Sequence, residues 1–234
     1  MSRRDGRKFD ELRPVVIQRG FLRTCPGSVH YRCGGTSLLI TAQIQEDVPP
    51  FLVGKGSGWL TAEYAMLPGS TPSRKKRGPD GRATEIQRLI GRSLRAAVDL
   101  KAIGPITIQV DADVMEADGG TRTAAITGAY VAVADALRAR FGAESSKFLK
   151  AQIAAVSAGM IGGVPMLDLD YSEDSRADVD LNVVRLGESG FVEVQGTGES
   201  GVFQREELAA MLDLASAGID RLMAIQRELL ASSS

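Results

Sequence analysis

The sequence predicts an α+β domain with mixed sheets and three principal helices. Segments rich in Val, Ile, Thr and Tyr are punctuated by glycine and proline turns, which reads as strands, and apolar series recur at helical spacing elsewhere. Nothing between these segments looks like a linker, a low-complexity tract or a repeat. With 234 residues, 44% of them hydrophobic and 24% charged, the chain can bury a substantial core. It is read as a single domain over residues 1–234, with loose ends at 1–12 and 231–234.

Residues 15–22 and 28–45 begin as a β-meander turned by Pro26-Gly27 and Gly34-Gly35. Gly54, Gly56 and Gly58 crowd into GKGSGW, but Trp59 to Tyr64 reads as extended. A phosphate-cradling loop would have to open a helix, so close-packed backbone is the better account. Residues 70–81 (STPSRKKRGPDG) have turn formers at both ends, cations at Arg74, Lys75, Lys76 and Arg77, and no apolar anchor, which predicts an exposed basic loop. Ile86, Leu89, Ile90, Leu94, Ala97 and Val98 then set a helical period that runs until Gly104-Pro105. Ile106, Ile108, Val110, Ala112 and Val114 alternate as a strand, and residues 121–140 form a second, more buried helix. A strand pair at 153–158 and 164–169 turns through Gly162-Gly163, and a hairpin follows at 179–186 and 191–195. A long helix carrying Leu208, Met211, Leu212, Ala215, Ile219, Leu222, Ile225 and Leu229 closes the chain.

Composition excludes several functions. Basic residues number 28 and acidic residues 29, a net charge of -1, so nucleic acid would have to be held by a local patch. Cys25 and Cys33 lack metal-ligand spacing and read as reduced thiols. The single histidine, His30, rules out any site needing two within one chain and confines a Ser-His-Asp triad to itself. No apolar stretch approaches the ~20 residues of a membrane helix, and Arg3, Arg4, Asp5 and Arg7 stand where a signal peptide's apolar core would follow, so a cytoplasmic protein is expected.

Chemistry must therefore run on carboxylates, arginines and backbone amides. Asp118-Gly119-Gly120-Thr121-Arg122-Thr123 lies between a strand and a helix. Its glycines allow close backbone approach, unpaired helix amides favour an anion, and Arg122 adds a planar cation. A plain glycine turn with Thr121 as N-cap fits the same residues. Arg82 also heads a helix, as a second arm of a phosphate clamp or as a solvated first-turn residue. Asp168, Asp170, Glu173, Asp174, Asp178 and Asp180 crowd into one stretch that could bind magnesium or move protons, or simply face solvent.

Several motifs together carry a resemblance: GWLTAEYAMLP at 58–68, GRATEIQRLIGRSLRAAVDL at 81–100, DADVMEADGGTRTAAITGA at 111–129, DLDYSEDSRADVDLNVV at 168–184 and EVQGTGE at 193–199. The chain resembles the ribonuclease PH family of phosphorolytic 3′ to 5′ exoribonucleases, from Arg13-Pro14 to the final helix. Through that family it is similar to polynucleotide phosphorylase and the exosome ring subunits. The resemblance implies a fold of the ribosomal S5 domain 2-like type and assembly as a homohexamer, a trimer of dimers. It implies phosphate binding by Arg82, Gly120, Thr121 and Arg122, and catalytic, magnesium-associated roles for Asp174 and Asp180. Arg74 and Arg77 resemble the arginines of the family's tRNA-gripping loop, although Gly69 stands where family members often carry another arginine and the loop is shorter here. The activity implied is trimming of tRNA precursors and other RNA 3′ ends by inorganic phosphate, with release of nucleoside diphosphates. The alternative is a non-catalytic ring subunit that shapes an RNA channel.

Overall fold

The computed structural model describes residues 3–78, 80–188 and 190–232. β1 (Val15–Arg19), β2 (Gly27–Cys33) and β3 (Thr36–Gln45) form the expected meander. β4 (Trp59–Met66) is joined by helix α1 (Gly81–Ala97) to β5 (Thr107–Glu116), which lies parallel to it. A parallel pair cannot be closed by a hairpin, and α1 is the crossover that this pairing needs. Since β5 also pairs antiparallel with β3, the first sheet is mixed, in the order β1-β2-β3-β5-β4.

Helix α2 (Thr121–Phe141) follows, then β6 (Ile153–Ile161), β7 (Val164–Leu167), the single turn α3 (Tyr171–Asp174), β8 (Val179–Leu186), β9 (Gly190–Gly198) and helix α4 (Arg205–Ala231). The second sheet is antiparallel, in the order β7-β6-β8-β9. α2 packs against β2 and β3 on one side and against β6 on the other. It is buried on nearly every side from Thr123 to Leu137, which explains why its sequence is small and apolar all round rather than striped. Gly128 lets it approach the first sheet, since a Cβ there would meet Ile40 Cδ1 at 2.5 Å.

β6 is buried along its whole length because it is covered on both faces. Ile153 and Ala155 belong to the large core around α2, whereas Ala154, Val156, Ala158 and Met160 pack with Met211, Ala215, Ile219 and Leu222 of α4. The two-residue period of β8 divides its side chains in the same way. Val179, Leu181 and Val183 turn toward α4, and Val184 turns toward α2. Asp180 and Asn182 share the face of Val184, so the strand pattern itself aims them into the space between the two sheets. Buried Gln226 ties the layers together by donating to the carbonyls of Thr127 (2.9 Å) and Ile153 (3.0 Å).

The structure corrects several expectations. α1 ends at Ala97, not near Gly104, because Val98 turns extended and bridges to Leu149. Residues 3–12 are not a loose end: the Arg3 side chain is fully buried, donating to Glu173 at 2.8 and 2.6 Å and to the Leu167 and Asp168 carbonyls. At the other end α4 runs to Ala231, and the rest of the tail expected to be loose lies, beyond Ser232, outside the described residues. Of the 70–81 loop, Ser70 is buried, held where its amide donates to Leu67 and its carbonyl accepts from Ala117, and Gly81 already belongs to α1. Cys25 and Cys33 are free and buried.

Candidate functional site

Between the ends of β4 and β5, the start of α2 and the second sheet lies a cavity of about 170 Å³. Arg82, Gly120, Thr121, Arg122, Asp174 and Asp180 all line it. Residues distant in sequence, which suggested a phosphate clamp on one hand and an acid pair on the other, thus face one another.

The anion side is built on backbone. Gly119 and Gly120 both sit in left-handed conformations, with φ +78° and +65°, and Gly120 is the N-cap of α2. A glycine cap has no side chain to satisfy the first helix amides, so they stay available to a ligand, and the helix dipole favours an anion there. Thr121 is therefore the first helical residue rather than the cap, and its Oγ1 accepts a hydrogen bond from the Tyr64 hydroxyl (2.8 Å). Arg122 reaches across to β9, donating to Gln195 Oε1 at 2.6 Å, with Glu85 Oε1 at 3.8 Å. Arg82 is exposed at the first turn of α1, beyond Asp80, whose carboxylate caps that helix by accepting from the Arg82 amide (3.0 Å). One cation is thereby braced and the other is exposed.

The acid side emerges once the carboxylate run is sorted by partner. Asp168 pairs with Arg13, Glu173 pairs with Arg3, Asp170 caps α3 by accepting from the Glu173 amide, and Asp178 accepts from Gly162 N (2.8 Å) and Ser200 Oγ (3.1 Å). Asp174 and Asp180 are the two of this run that line the cavity. Burial pushes the Asp180 carboxyl up to about 6, helped by the Asp174 charge, against the lowering effects of Arg122 and of the Asn182 amide, which donates to it at 3.1 Å. Burial likewise raises Asp174, opposed by Arg82 and Arg122.

Arg74 and Arg77 do not line the cavity. Lys75, from the same segment, does, together with Thr71. Lys75 was visible only as one of four adjacent cations, and nothing in the sequence distinguishes which of them turns inward. Asn182, Ser157 and Tyr171 also line the cavity without having been singled out, although Asn182 and Tyr171 lie inside the quoted acidic motif. His30 stands apart on β2, with Nε2 2.9 Å from Ser37 Oγ, and among the described residues no carboxylate completes a triad. Gly58 is close-packed as expected, since a Cβ would meet the Gly104 and Ile106 carbonyls at 2.6 and 2.7 Å.

Two family models match most of the chain. The RNase PH model of the 3′ exoribonuclease family, domain 1, matches residues 11–138, and the domain 2 model matches residues 151–218. The chain belongs to the RNase PH family of 3′ exoribonucleases. The two family halves correspond to the two sheets, and the cavity lies where they meet, so neither half of this chain lines the whole cavity. Solved structures share the fold across nearly the whole chain. Rice (Oryza sativa) Rrp46 is 19% identical with a TM-score of 0.82, covering 98% of this chain and 100% of that one. A chain of the Archaeoglobus fulgidus exosome with RNA bound to the active site is 21% identical with a TM-score of 0.81, covering 95% and 92%. A chain of an archaeal exosome core is 20% identical with a TM-score of 0.77, covering 97% and 91%. Among the described residues no helix is long and apolar enough to cross a membrane.

Proposed function

We propose that this chain is a phosphate-dependent 3′ to 5′ exoribonuclease of the cytoplasm that trims tRNA precursors and other RNA 3′ ends. The observation that carries the reading is the convergence of Arg82, Arg122 and the uncapped α2 amides with Asp174 and Asp180 in one cavity. Inorganic phosphate is held by the two arginines, Thr121 and the amides around Gly120. One of its oxygens attacks the last phosphodiester phosphorus, a new phosphoanhydride bond forms, and the bond to the 3′ oxygen breaks. A nucleoside diphosphate leaves with the phosphate, and the shortened RNA keeps a 3′ hydroxyl. Two anions must meet, so the cations lower the barrier by neutralising charge that accumulates at transfer. Asp180, raised to about 6, can carry a proton near neutral pH and deliver it to the departing 3′ oxygen. The bond formed is similar in energy to the bond broken, so synthesis from diphosphates runs when phosphate is scarce.

Magnesium fits the acid pair. Burial raises both carboxyls, the Asp174 charge raises Asp180 further, and a hard dication with oxygen ligands relieves that repulsion. Asp174 would hold it, beside Asp180, which manages the proton, and when bound it would supply further charge neutralisation at the phosphates. The exposed 72–78 segment with Arg74 and Arg77 is assigned to the RNA backbone. A homohexamer, as a trimer of dimers, would present several copies of this short basic segment to one RNA and gain by multivalency what a chain of net charge -1 lacks.

The competing reading, a ring subunit that shapes an RNA channel without cleaving, leaves the raised acid pair facing two arginines without a purpose. Incubation of the protein with RNA and magnesium, with or without phosphate, separates the readings. Diphosphates formed only with phosphate support phosphorolysis, monophosphates indicate hydrolysis, and no product favours the channel subunit.

A further inference from the structure

Three of the four tyrosines are core residues: Tyr31, Tyr64 and Tyr130 are 2%, 5% and 5% exposed. Tyr171 is 63% exposed, yet it lines the cavity that holds Asp174 and Asp180. A single exposed aromatic is unremarkable by itself. What sets this one apart is the rigidity of the backbone beneath it. Its amide donates to Asp118 Oδ1 (3.2 Å), and the turn it opens is closed by a reciprocal cap between Asp170 and Glu173. Glu173 is in turn locked by the buried Arg3. Gly119 of the anion loop presses directly on this segment, since a Cβ there would lie 2.5 Å from the Leu169 carbonyl oxygen and 3.0 Å from the Tyr171 nitrogen. Among the described residues the Tyr171 ring has no aromatic or cationic partner, and its hydroxyl makes no hydrogen bond. A ring fixed at its base and largely open to solvent is poised for a flat ligand.

The chemistry of the cavity says which ligand. Most of its lining is charged, hydroxylic or backbone, and Tyr171 supplies its one aromatic face. Tyr171 and Asp174 stand at i and i+3 on α3, which puts their Cβ atoms about 5–6 Å apart. A nucleotide whose phosphate lies between the arginines and the acid pair must place its base within a ribose length of that point. We infer that Tyr171 is a stacking platform for a nucleobase at the 3′ end of the RNA. Stacking uses the π face that every base has, so the subsite grips without reading sequence, as an enzyme that removes successive nucleotides requires. This inference rests on the phosphorolytic reading for the direction in which the RNA enters, but its test does not depend on turnover.

The test is binding of a 5′-labelled RNA oligonucleotide to the full chain by fluorescence anisotropy in phosphate-free buffer. The same oligonucleotide with its two 3′-terminal residues made abasic is measured beside it. Wild type should bind the abasic RNA about 5- to 150-fold more weakly, the range for loss of one base–aromatic stack. Tyr171→Ala should bind both RNAs alike, and Tyr171→Phe should discriminate as wild type does, because the ring and not the hydroxyl makes the contact. Tyr171→Leu, which keeps bulk without a π system, should lose most of the discrimination. Equal binding of both RNAs by wild type, or full discrimination by Tyr171→Ala, overturns the inference. Failure to release diphosphates in the separate turnover assay would overturn phosphorolysis while leaving this binding result to stand or fall alone.

Discussion

Arg13 holds together the two segments from which the site is made. Its guanidinium donates to Asp168 at 2.7 and 3.1 Å, and also to the carbonyls of Asp118 and Gly119 in the anion loop. Arg13→Met keeps much of the side-chain bulk but leaves the Asp168 carboxylate, only 4% exposed, without its main partner. Breaking a buried ion pair from one side costs ~3–5 kcal/mol. Here the carboxylate still accepts from the Arg13 amide at 2.7 Å and has Arg7 at 3.7 Å, which places the expected loss near the lower end, ~3 kcal/mol. For a chain of this size each kcal/mol moves the melting temperature by ~2–4 °C, so thermal unfolding at fixed protein concentration should shift down by ~6–12 °C. Asp168 has a left-handed backbone, φ +53°, which Asn tolerates, so the double variant Arg13→Met, Asp168→Asn removes the stranded charge without adding strain. It should recover part of the loss. A single variant melting within ~2 °C of wild type, or a double variant worse than the single, would refute the claim that this pair braces the fold.

Acid stability should carry the same signature. Burial alone would raise the Asp168 carboxyl, but Arg13 outweighs it and holds the group below the usual range, so its stabilisation is present above about pH 4 and is lost as pH falls through the folded value. Urea unfolding of wild type between about pH 4 and 2 should therefore fall more steeply than that of the double variant. Asp180 has the opposite sign: its raised carboxyl costs stability above about 6, so Asp180→Asn in metal-free buffer should be more stable than wild type at pH 8, with the advantage fading by pH 4. The same variant should lose at least ~100-fold in turnover, and near-normal rates would remove Asp180 from the mechanism. Arg122→Ala should fold normally but lose ~100-fold or more in phosphate-dependent release, and a wild-type saturation curve in phosphate would exclude the assigned site. Neutralising Arg74 and Arg77 together should weaken RNA binding and flatten its log–log salt dependence by ~0.7 per lost phosphate contact, with an unchanged slope returning that segment to solvent.

Element type and order were legible because each element obeys its own period. The alternation of β5, the all-round apolar character of α2 and the stripe of α4 each state which faces are covered before any neighbour is known. Errors fell where a distant partner overrides local pattern. The helical period of α1 continues through Val98, but that residue is drawn into a bridge with Leu149. The arginine-rich start looks like a soluble tail, but Arg3 finds Glu173 and two carbonyls some 165 residues away, a pairing that no local rule contains.

The acidic motif shows the same limit at the site. Six carboxylates in residues 168–180 are alike in chemistry, and spacing does not say which are structural. The structure divides them by arginine supply: Arg13 claims Asp168 and Arg3 claims Glu173, each reaching across from the first residues of the chain. Asp170 and Asp178 are absorbed by backbone amides. Asp174 and Asp180 are left facing Arg82 and Arg122, which their pKa shifts sense but which make no hydrogen bond to them. A structural carboxylate is satisfied by its partners and gains nothing from a ligand. An acid pair that is partly desolvated, in which the Asp174 charge raises Asp180, and that lies within the field of a braced Arg122 and an exposed Arg82 still gains from a ligand. That difference in satisfaction, not the density of acidic residues, is what separates a site from a solvated loop.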